Sequence, residues 1–330
     1  MKTKKILRLI AGIALAALFL WLTLRQISLA ETQHAFLGAS FMWIAAALAV
    51  FAVGYSCRIK RWQIMLQADR SRLQWRSCAG PFLASFAANN VLPFRAGDVL
   101  RSFAFNQKLG TTSGVMIATL FVERLLDLLT VLIFLGVTLA FFGVESSRFA
   151  RFGSAVLIVG GMMILVILLF PHLFRPALLA FGRTVERIVP TFGHKFLTEI
   201  DKSFMILQHL AQGSIMLRLA FWSFIVWLAE GCVFWFSALA LPAISAPLAG
   251  WLALPISTLA TLIPSTPGYV GTFDFFTVRA MTELGNNTEA ATAYALLIHV
   301  VLWLPPTLAG GLYLLLHPAS TAGQVIQTEL

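Results

Sequence analysis

Long runs of apolar residues constrain this chain more than any other feature of its sequence. Residues 113–142, for example, contain only Glu123, Arg124 and Asp127 as charged side chains. That stretch exceeds the roughly 20 residues needed to cross the hydrocarbon layer of a bilayer. Hydrophobic residues make up 59% of the 330 residues and charged residues 12%, against roughly a quarter charged in soluble domains. The chain is therefore predicted to be an integral membrane protein.

Six such stretches predict six transmembrane helices. They lie at about residues 6–24, 41–57, 113–142, 154–170, 219–241 and 289–316. The first precedes Ser28-Leu29-Ala30, which resembles a signal-peptidase site, but its length, with Phe19 and Trp21, favours an uncleaved helix. Because no polar segment between the spans is long enough for a catalytic domain, residues 1–330 are predicted to form a single integral membrane domain.

Two further apolar stretches, at about residues 78–108 and 248–285, are interrupted by proline and glycine. The interrupting residues are Pro93, Gly97, Pro264, Pro267, Gly268 and Gly271. Proline and glycine break helices, and backbone freed at membrane depth is tolerated only inside protein or against a watery cavity. Both stretches are therefore predicted to be re-entrant helical hairpins.

The order span, span, hairpin, span occurs twice, in residues 1–145 and again in residues 146–330. Since three crossings in each half is an odd number, the second half must be inverted relative to the first. The predicted fold class is thus an all-α polytopic membrane protein, with about six transmembrane helices and two re-entrant hairpins in an inverted repeat.

The distribution of positive charge gives an orientation. Most of the 24 lysines and arginines, with Arg58 and Arg61 among them, fall on segments that this topology places in the cytoplasm. The N- and C-termini are therefore expected to be cytoplasmic, in the inner (plasma) membrane of the cell. The net charge of +10 is explained by this bias and by attraction to anionic lipid headgroups at the cytoplasmic face, so nucleic acid is not an expected partner. The sequence does not decide whether the protein forms a homo-oligomer.

Ionisable residues inside apolar sequence are the candidate functional residues. Each costs about 2.5–3.5 kcal/mol at the centre of a transmembrane helix, so each needs a partner or a function. The charges of the third predicted span are expected to meet those of the first hairpin. The candidate substrate-binding residues are Arg95, Asp98, Arg101, Glu123, Arg124, Asp127, Glu230 and Asp274. They could form a substrate site or only ion pairs that lock the hairpin to the span, and the sequence does not decide between these interpretations.

Three motifs, NNVLPFRAGDVLR at residues 89–101, VERLLD at 122–127 and PSTPGYVG at 264–271 followed by Asp274, resemble signatures of the lysylphosphatidylglycerol synthase transmembrane-region family. That family is also described as flippase-like. Where it usually has a glutamate after the glycine-rich turn, this chain has Asp274. The aminoacyl-transferase domain of the full synthases has no counterpart here, so lysyl transfer to lipid is not expected.

The leading functional prediction is a lipid translocator, which moves a membrane lipid bearing a phosphate group through a polar site between the two hairpins. One alternative is a polytopic lipid-linked glycosyltransferase or another lipid-modifying enzyme. Another is a non-catalytic lipid-binding subunit of a membrane complex. Because the sequence has no HExxH motif, nucleophile elbow or glycine-rich phosphate loop, and only three isolated cysteines, neither catalysis nor a metal or cofactor is expected.

Overall fold

A computed structural model describes residues 36–92, 95–143, 148–188, 200, 202–263 and 267–317. The helices within these ranges are α1 (Phe41–Leu66), α2 (Trp75–Val91), α3 (Ala96–Ala104), α4 (Asn106–Leu109), α5 (Ser113–Phe142), α6 (Arg148–Leu169), α7 (Arg175–Ile188), α8 (Gly213–Leu239), α9 (Gly250–Ala260), α10 (Thr272–Glu283) and α11 (Thr288–Leu316). A short helical segment at 202–210 precedes α8. The described residues contain no strand, so the predicted all-α polytopic fold is confirmed.

Four helices, α1, α5, α8 and α11, are long and apolar enough to cross a membrane. They contain 26, 30, 27 and 29 residues, and a helix rises about 1.5 Å per residue, so even the shortest exceeds the roughly 30 Å hydrocarbon core. A fifth span is present if α6 and α7 count together, although they are bent by 92° at Phe170. The predicted span at 6–24 lies outside the described residues.

Side chains at the helix starts explain two of these boundaries. The Thr112 hydroxyl accepts a hydrogen bond from the Val115 N–H at the start of α5, and the Asn287 side chain accepts one from the Ala290 N–H at the start of α11. Such caps satisfy backbone donors that have no partner within the helix. The predicted spans at 113–142 and 289–316 accordingly agree with α5 and α11 to within one residue.

The two interrupted stretches each form a pair of short helices. In the first pair, α2 has 17 residues and α3 has nine; in the second, α9 has 11 and α10 has 12. The members of each pair pack against each other. Gly97 allows the close approach of α3 to α2, because a Cβ there would lie 1.8 Å from the Ser85 carbonyl oxygen. The helical breaks are therefore present where the sequence predicts them, while their re-entry into the membrane stays a prediction.

The two halves of the sequence are packed into one another. Helix α1 runs along α8, α2 runs along α11, and α9 contacts α5. Each hairpin thus packs against the long helix that follows the other hairpin. The division at residue 145 and the opposite orientation of the two halves stay predictions.

The predicted end of the second span is wrong, and the error affects the number of basic residues that were assigned to cytoplasmic segments. The second span was predicted to end at residue 57, with Arg58 and Arg61 in a cytoplasmic segment. Helix α1 instead continues to Leu66, and Arg58 and Arg61 are both buried. Their charges are matched by acids on other helices, as described below, so α1 does not end where they occur.

The outer surface is apolar. Large side chains such as Val137 and Phe141 on α5 and Leu312 and Leu315 on α11 are more than half exposed. In water such a surface would drive association, whereas hydrocarbon chains can cover it. The chain is therefore a multi-pass membrane protein, as its composition predicts.

Candidate functional site

A cavity of about 400 Å³ lies between the two hairpins and the four long helices. Its wall is formed by both hairpin breaks and by seven helices, namely α1, α2, α5, α8, α9, α10 and α11. Three arginines and two acids line it: Arg58, Arg95, Arg124, Asp127 and Glu230. The arrangement of these five charges determines what the cavity can bind.

Asp127 and Glu230 are both paired with arginines of α1. Arg61 Nη1 donates to Asp127 Oδ1 at 2.8 Å, and Trp227 Nε1 donates to the same oxygen at 3.0 Å. Arg58 Nη2 donates to Glu230 Oε2 at 3.0 Å, with its other terminal nitrogen 3.9 Å from Asp127. These contacts join α1 to α5 and α8, so neither acid is an isolated charge.

Arg101 and Glu123 form a separate ion pair outside the cavity lining. Two hydrogen bonds of 3.0 and 3.2 Å join the guanidinium to the carboxylate, and both side chains are only 2% exposed. The guanidinium also lies over the rings of Trp62 and Phe82, 5.2 and 5.1 Å from their centres. Because the guanidinium is hydrogen-bonded to the carboxylate and covered by two aromatic rings, this pair serves to attach α3 to α5.

Arg124 is paired with Asp98, which lies outside the cavity lining. Its Nη2 donates to both oxygens of that carboxylate, at 2.9 and 3.1 Å. Asn89 holds Asp98 from the other side: its amide donates to Asp98 Oδ1, and its carbonyl oxygen accepts from the Asp98 backbone N–H. Asn89 therefore joins the end of α2 to the start of α3.

Arg95 differs from the other arginines of the cavity. Its Nε donates to the Tyr269 hydroxyl at 2.9 Å, and its Nη2 lies 3.4 Å from the Thr261 carbonyl oxygen. No carboxylate of the described residues lies within 4.0 Å of its guanidinium. Arg95 is thus a cationic side chain at the cavity wall whose hydrogen-bond partners are neutral.

Arg95 and Tyr269 also share an unusual backbone conformation. Their φ angles are 53° and 62°, and they are the non-glycine residues with positive φ in the described part of the chain. Residues other than glycine seldom adopt this left-handed region, and such strain is often found at functional sites. Each residue lies at the break of one hairpin, so their contact joins the two breaks directly.

Asp274 lies beside the cavity on the second hairpin. Its Oδ2 accepts from the Gly271 N–H at 2.9 Å, and its Oδ1 lies 2.7 Å from His299 Nδ1 on α11. This aspartate fixes the start of α10, while His299 reaches the cavity wall. Among the hairpin-break residues, Gly268 and Gly271 have φ values of +69° and +85°, which side chains disfavour; Pro267 begins the short turn Pro267–Tyr269. Pro93 and Pro264 lie outside the described residues.

The structure brings together most of the residues singled out in the sequence, but two of them have partners other than the expected ones. As expected, charges of the first hairpin meet those of the third predicted span, in the pairs Arg101–Glu123 and Asp98–Arg124. Asp127 instead meets Arg61 and Arg58, and Arg95 meets Tyr269 rather than a charge of that span. Sequence reasoning missed Arg58, Arg61 and Tyr269 as partners. The signal for the arginines was the run Trp62 to Leu66, whose mostly apolar residues show that the helix continues beyond Cys57.

The sequence profile of the lysylphosphatidylglycerol synthase TM region matches residues 9–310 of this chain. The chain belongs to this family. Every residue that lines the cavity falls within the matched range. The chain is also similar to the UPF0104 membrane protein PH1989 of Pyrococcus horikoshii, with 23% identity over 331 residues, which cover 94% of this chain and 97% of that protein. The range matched by the family profile thus includes both hairpins and the whole cavity lining.

Proposed function

We propose that this member of the lysylphosphatidylglycerol synthase transmembrane-region family moves a phosphate-bearing lipid across the membrane, with its headgroup passing through the cavity between the hairpins. The observation that carries the proposal is Arg95, a cation at the cavity wall that has no acidic partner among the described residues. A charge at membrane depth is costly unless it is paired or used. A lipid phosphate supplies the missing negative charge.

The hydrogen-bonding capacity of the cavity also favours a phosphate. A guanidinium has several N–H donors in a planar fork that matches the oxygens of a phosphate, and Arg95 uses only part of this fork on Tyr269 and Thr261. The site therefore has donors available for a group that carries several acceptor oxygens.

The charge balance of the cavity suits a monoanion. Three arginines and two acids line it, a difference of one positive charge, and a phosphodiester carries one negative charge. Just outside the lining, Asp98 further offsets Arg124 and Arg61 offsets Asp127, so the difference stays at one positive charge. The acids in this scheme hold the other arginines in place and limit the positive charge, which lets a headgroup leave the site as well as enter it.

In this scheme the contact between Arg95 and Tyr269 couples phosphate binding to a change in the arrangement of the two hairpins. A phosphate that takes over the Arg95 guanidinium competes with the Tyr269 hydroxyl, which is on the other hairpin. Binding would then weaken the direct connection between the two hairpin breaks and allow them to separate around the headgroup. A ligand shifts such an equilibrium only by its differential affinity for the two states, and the phosphate charge supplies that difference.

The test uses purified protein in phosphatidylcholine vesicles with a trace of phospholipid carrying a fluorophore on its headgroup. Dithionite added outside destroys the label in the outer leaflet, so loss of the protected fraction measures crossing. Wild-type protein, with or without an imposed proton gradient, should expose the inner label faster than protein-free vesicles. Arg95→Gln should abolish this difference. Arg76→Gln, which alters an exposed arginine at the start of α2, is the matched control and should behave as wild type.

Three outcomes would count against the proposal. Crossing in Arg95→Gln vesicles at the wild-type rate would remove the role of that arginine. Binding of the labelled lipid without crossing would favour a lipid-binding subunit. A change in the mass of the lipid after incubation with the protein and a sugar or aminoacyl donor would favour a lipid-modifying enzyme.

A further inference from the structure

A second cavity, of about 240 Å³, lies next to the first and has a different chemistry. Its wall is formed by α5, α6, α7, the segment at 202–210 and α8, and all the residues that line it are apolar. It lies inside the bend between α6 and α7, where Pro171 contributes to the wall. The charges described above do not reach it.

We infer that this second cavity holds one acyl chain of the lipid whose headgroup enters the first cavity, an inference that rests on the proposed function. Phe121 and Leu125 on α5 line both cavities. They are four residues apart and therefore share one face of the helix. A layer of two side chains separates a charged cavity from an apolar one, and an amphiphile with an anionic head and a hydrocarbon tail fits that pair.

The surroundings favour an acyl chain over water as the occupant. A buried water needs polar partners, and apolar cavities without them stay dry. Phe121 and Phe174 are 44% and 39% exposed, so the wall of the cavity extends to the outer surface, where lipid chains surround a membrane protein. An acyl chain entering from there fills the space and gains dispersion contacts with the wall.

The depth expected for the cavity agrees with this occupant. Helix α7 carries Arg175, Arg183, Glu186 and Arg187 within 14 residues, a composition typical of a helix that lies along a membrane surface. The 92° bend that precedes α7 would then lie near the boundary between headgroups and hydrocarbon. The hydrocarbon layer begins on the inner side of that boundary, so an acyl chain can reach a cavity that lies inside the bend.

Photolabelling tests the inference directly. Full-length protein is placed in phosphatidylcholine vesicles that contain phosphatidylglycerol with a diazirine at the end of one acyl chain, irradiated, digested and analysed by mass spectrometry. Wild-type protein should be labelled on the segment around Phe204 and Leu207 and on α7. Ala177→Trp, which adds a large ring at the cavity wall, should lose this labelling. Ala180→Trp is the matched control, because Ala180 is exposed on the same helix and outside the lining, and it should keep the labelling.

The outcomes separate this inference from the proposed function. Labelling confined to the outward faces of the spans, or unchanged labelling in Ala177→Trp, overturns the acyl-chain site; this includes the case in which parts of the chain outside the described residues fill the cavity. If the vesicle assay shows crossing while the cavity is not labelled, only the acyl-chain site is wrong. If the cavity is labelled and Ala177→Trp removes the label, but no lipid crosses, only the translocation proposal is wrong.

Discussion

Glu123→Gln is expected to destabilise the protein strongly, because it leaves Arg101 charged and buried without its partner. The two side chains are 2% exposed and joined by two hydrogen bonds. Removing one member of such a pair costs about 3–5 kcal/mol, whereas replacing both members with apolar side chains is often close to neutral. The double variant Arg101→Met with Glu123→Leu should therefore recover most of the stability that Glu123→Gln loses.

Equilibrium unfolding by SDS titration in mixed micelles measures these differences. The double variant should also keep lipid crossing in vesicles, because neither residue lines the cavity. If Glu123→Gln costs less than about 1 kcal/mol, the size expected of an exposed pair, the pair does not attach α3 to α5 as argued. If the double variant folds but no lipid crosses, the pair has a functional role that the structure does not explain.

Three further substitutions test individual contacts. Gly97→Ala should cost about 1–3 kcal/mol in the same titration, because the added Cβ overlaps the Ser85 carbonyl oxygen. Gly136→Ala should be neutral or slightly stabilising, because its added Cβ would meet no atom of the other described elements within 4 Å. Asp274→Asn should cost about 1–3 kcal/mol of unfolding free energy, because it weakens the contacts of this side chain with Gly271 and His299. Glu283→Gln alters an exposed acid on the same helix and should have no effect. Equal effects of the two substitutions would contradict the role given to Asp274. Tyr269→Phe removes a competitor for the Arg95 guanidinium and should tighten binding of phosphatidylglycerol by up to roughly tenfold. Tyr55→Phe, in the same cavity, is the control and should leave binding unchanged. Weaker binding in Tyr269→Phe would show that the hydroxyl helps to hold the lipid.

Local sequence patterns were sufficient to locate the four long helices and the two breaks, although not the end of α1. Residues 113–142 form one long stretch with Glu123, Arg124 and Asp127 as its charged residues and no proline, and α5 has those limits. The two stretches with proline and glycine each become a pair of short helices. These features depend on neighbouring residues alone, namely on apolar length, on caps such as Thr112 and Asn287, and on residues that interrupt helices.

Partners that are far apart in sequence could not be predicted in the same way. Arg58 and Arg61 suggest the end of a helix because an unpaired charge is unfavourable in a membrane, but Asp127 and Glu230 neutralise them from 66 and 172 residues away. Likewise, Arg95 meets Tyr269 across 174 residues. The sequence identifies costly charges, whereas only the packing of α1 against α8 and of the two hairpins identifies which of them is left over.

The most direct measurement is an experimental structure of the protein in nanodiscs that contain phosphatidylglycerol. The proposed function predicts a lipid headgroup between the two hairpins, with its phosphate in hydrogen-bonding distance of the Arg95 guanidinium and the Tyr269 hydroxyl displaced. A structure in which lipids lie only around the outer surface, while the cavity contains no headgroup and Arg95 remains bonded to Tyr269, would contradict it.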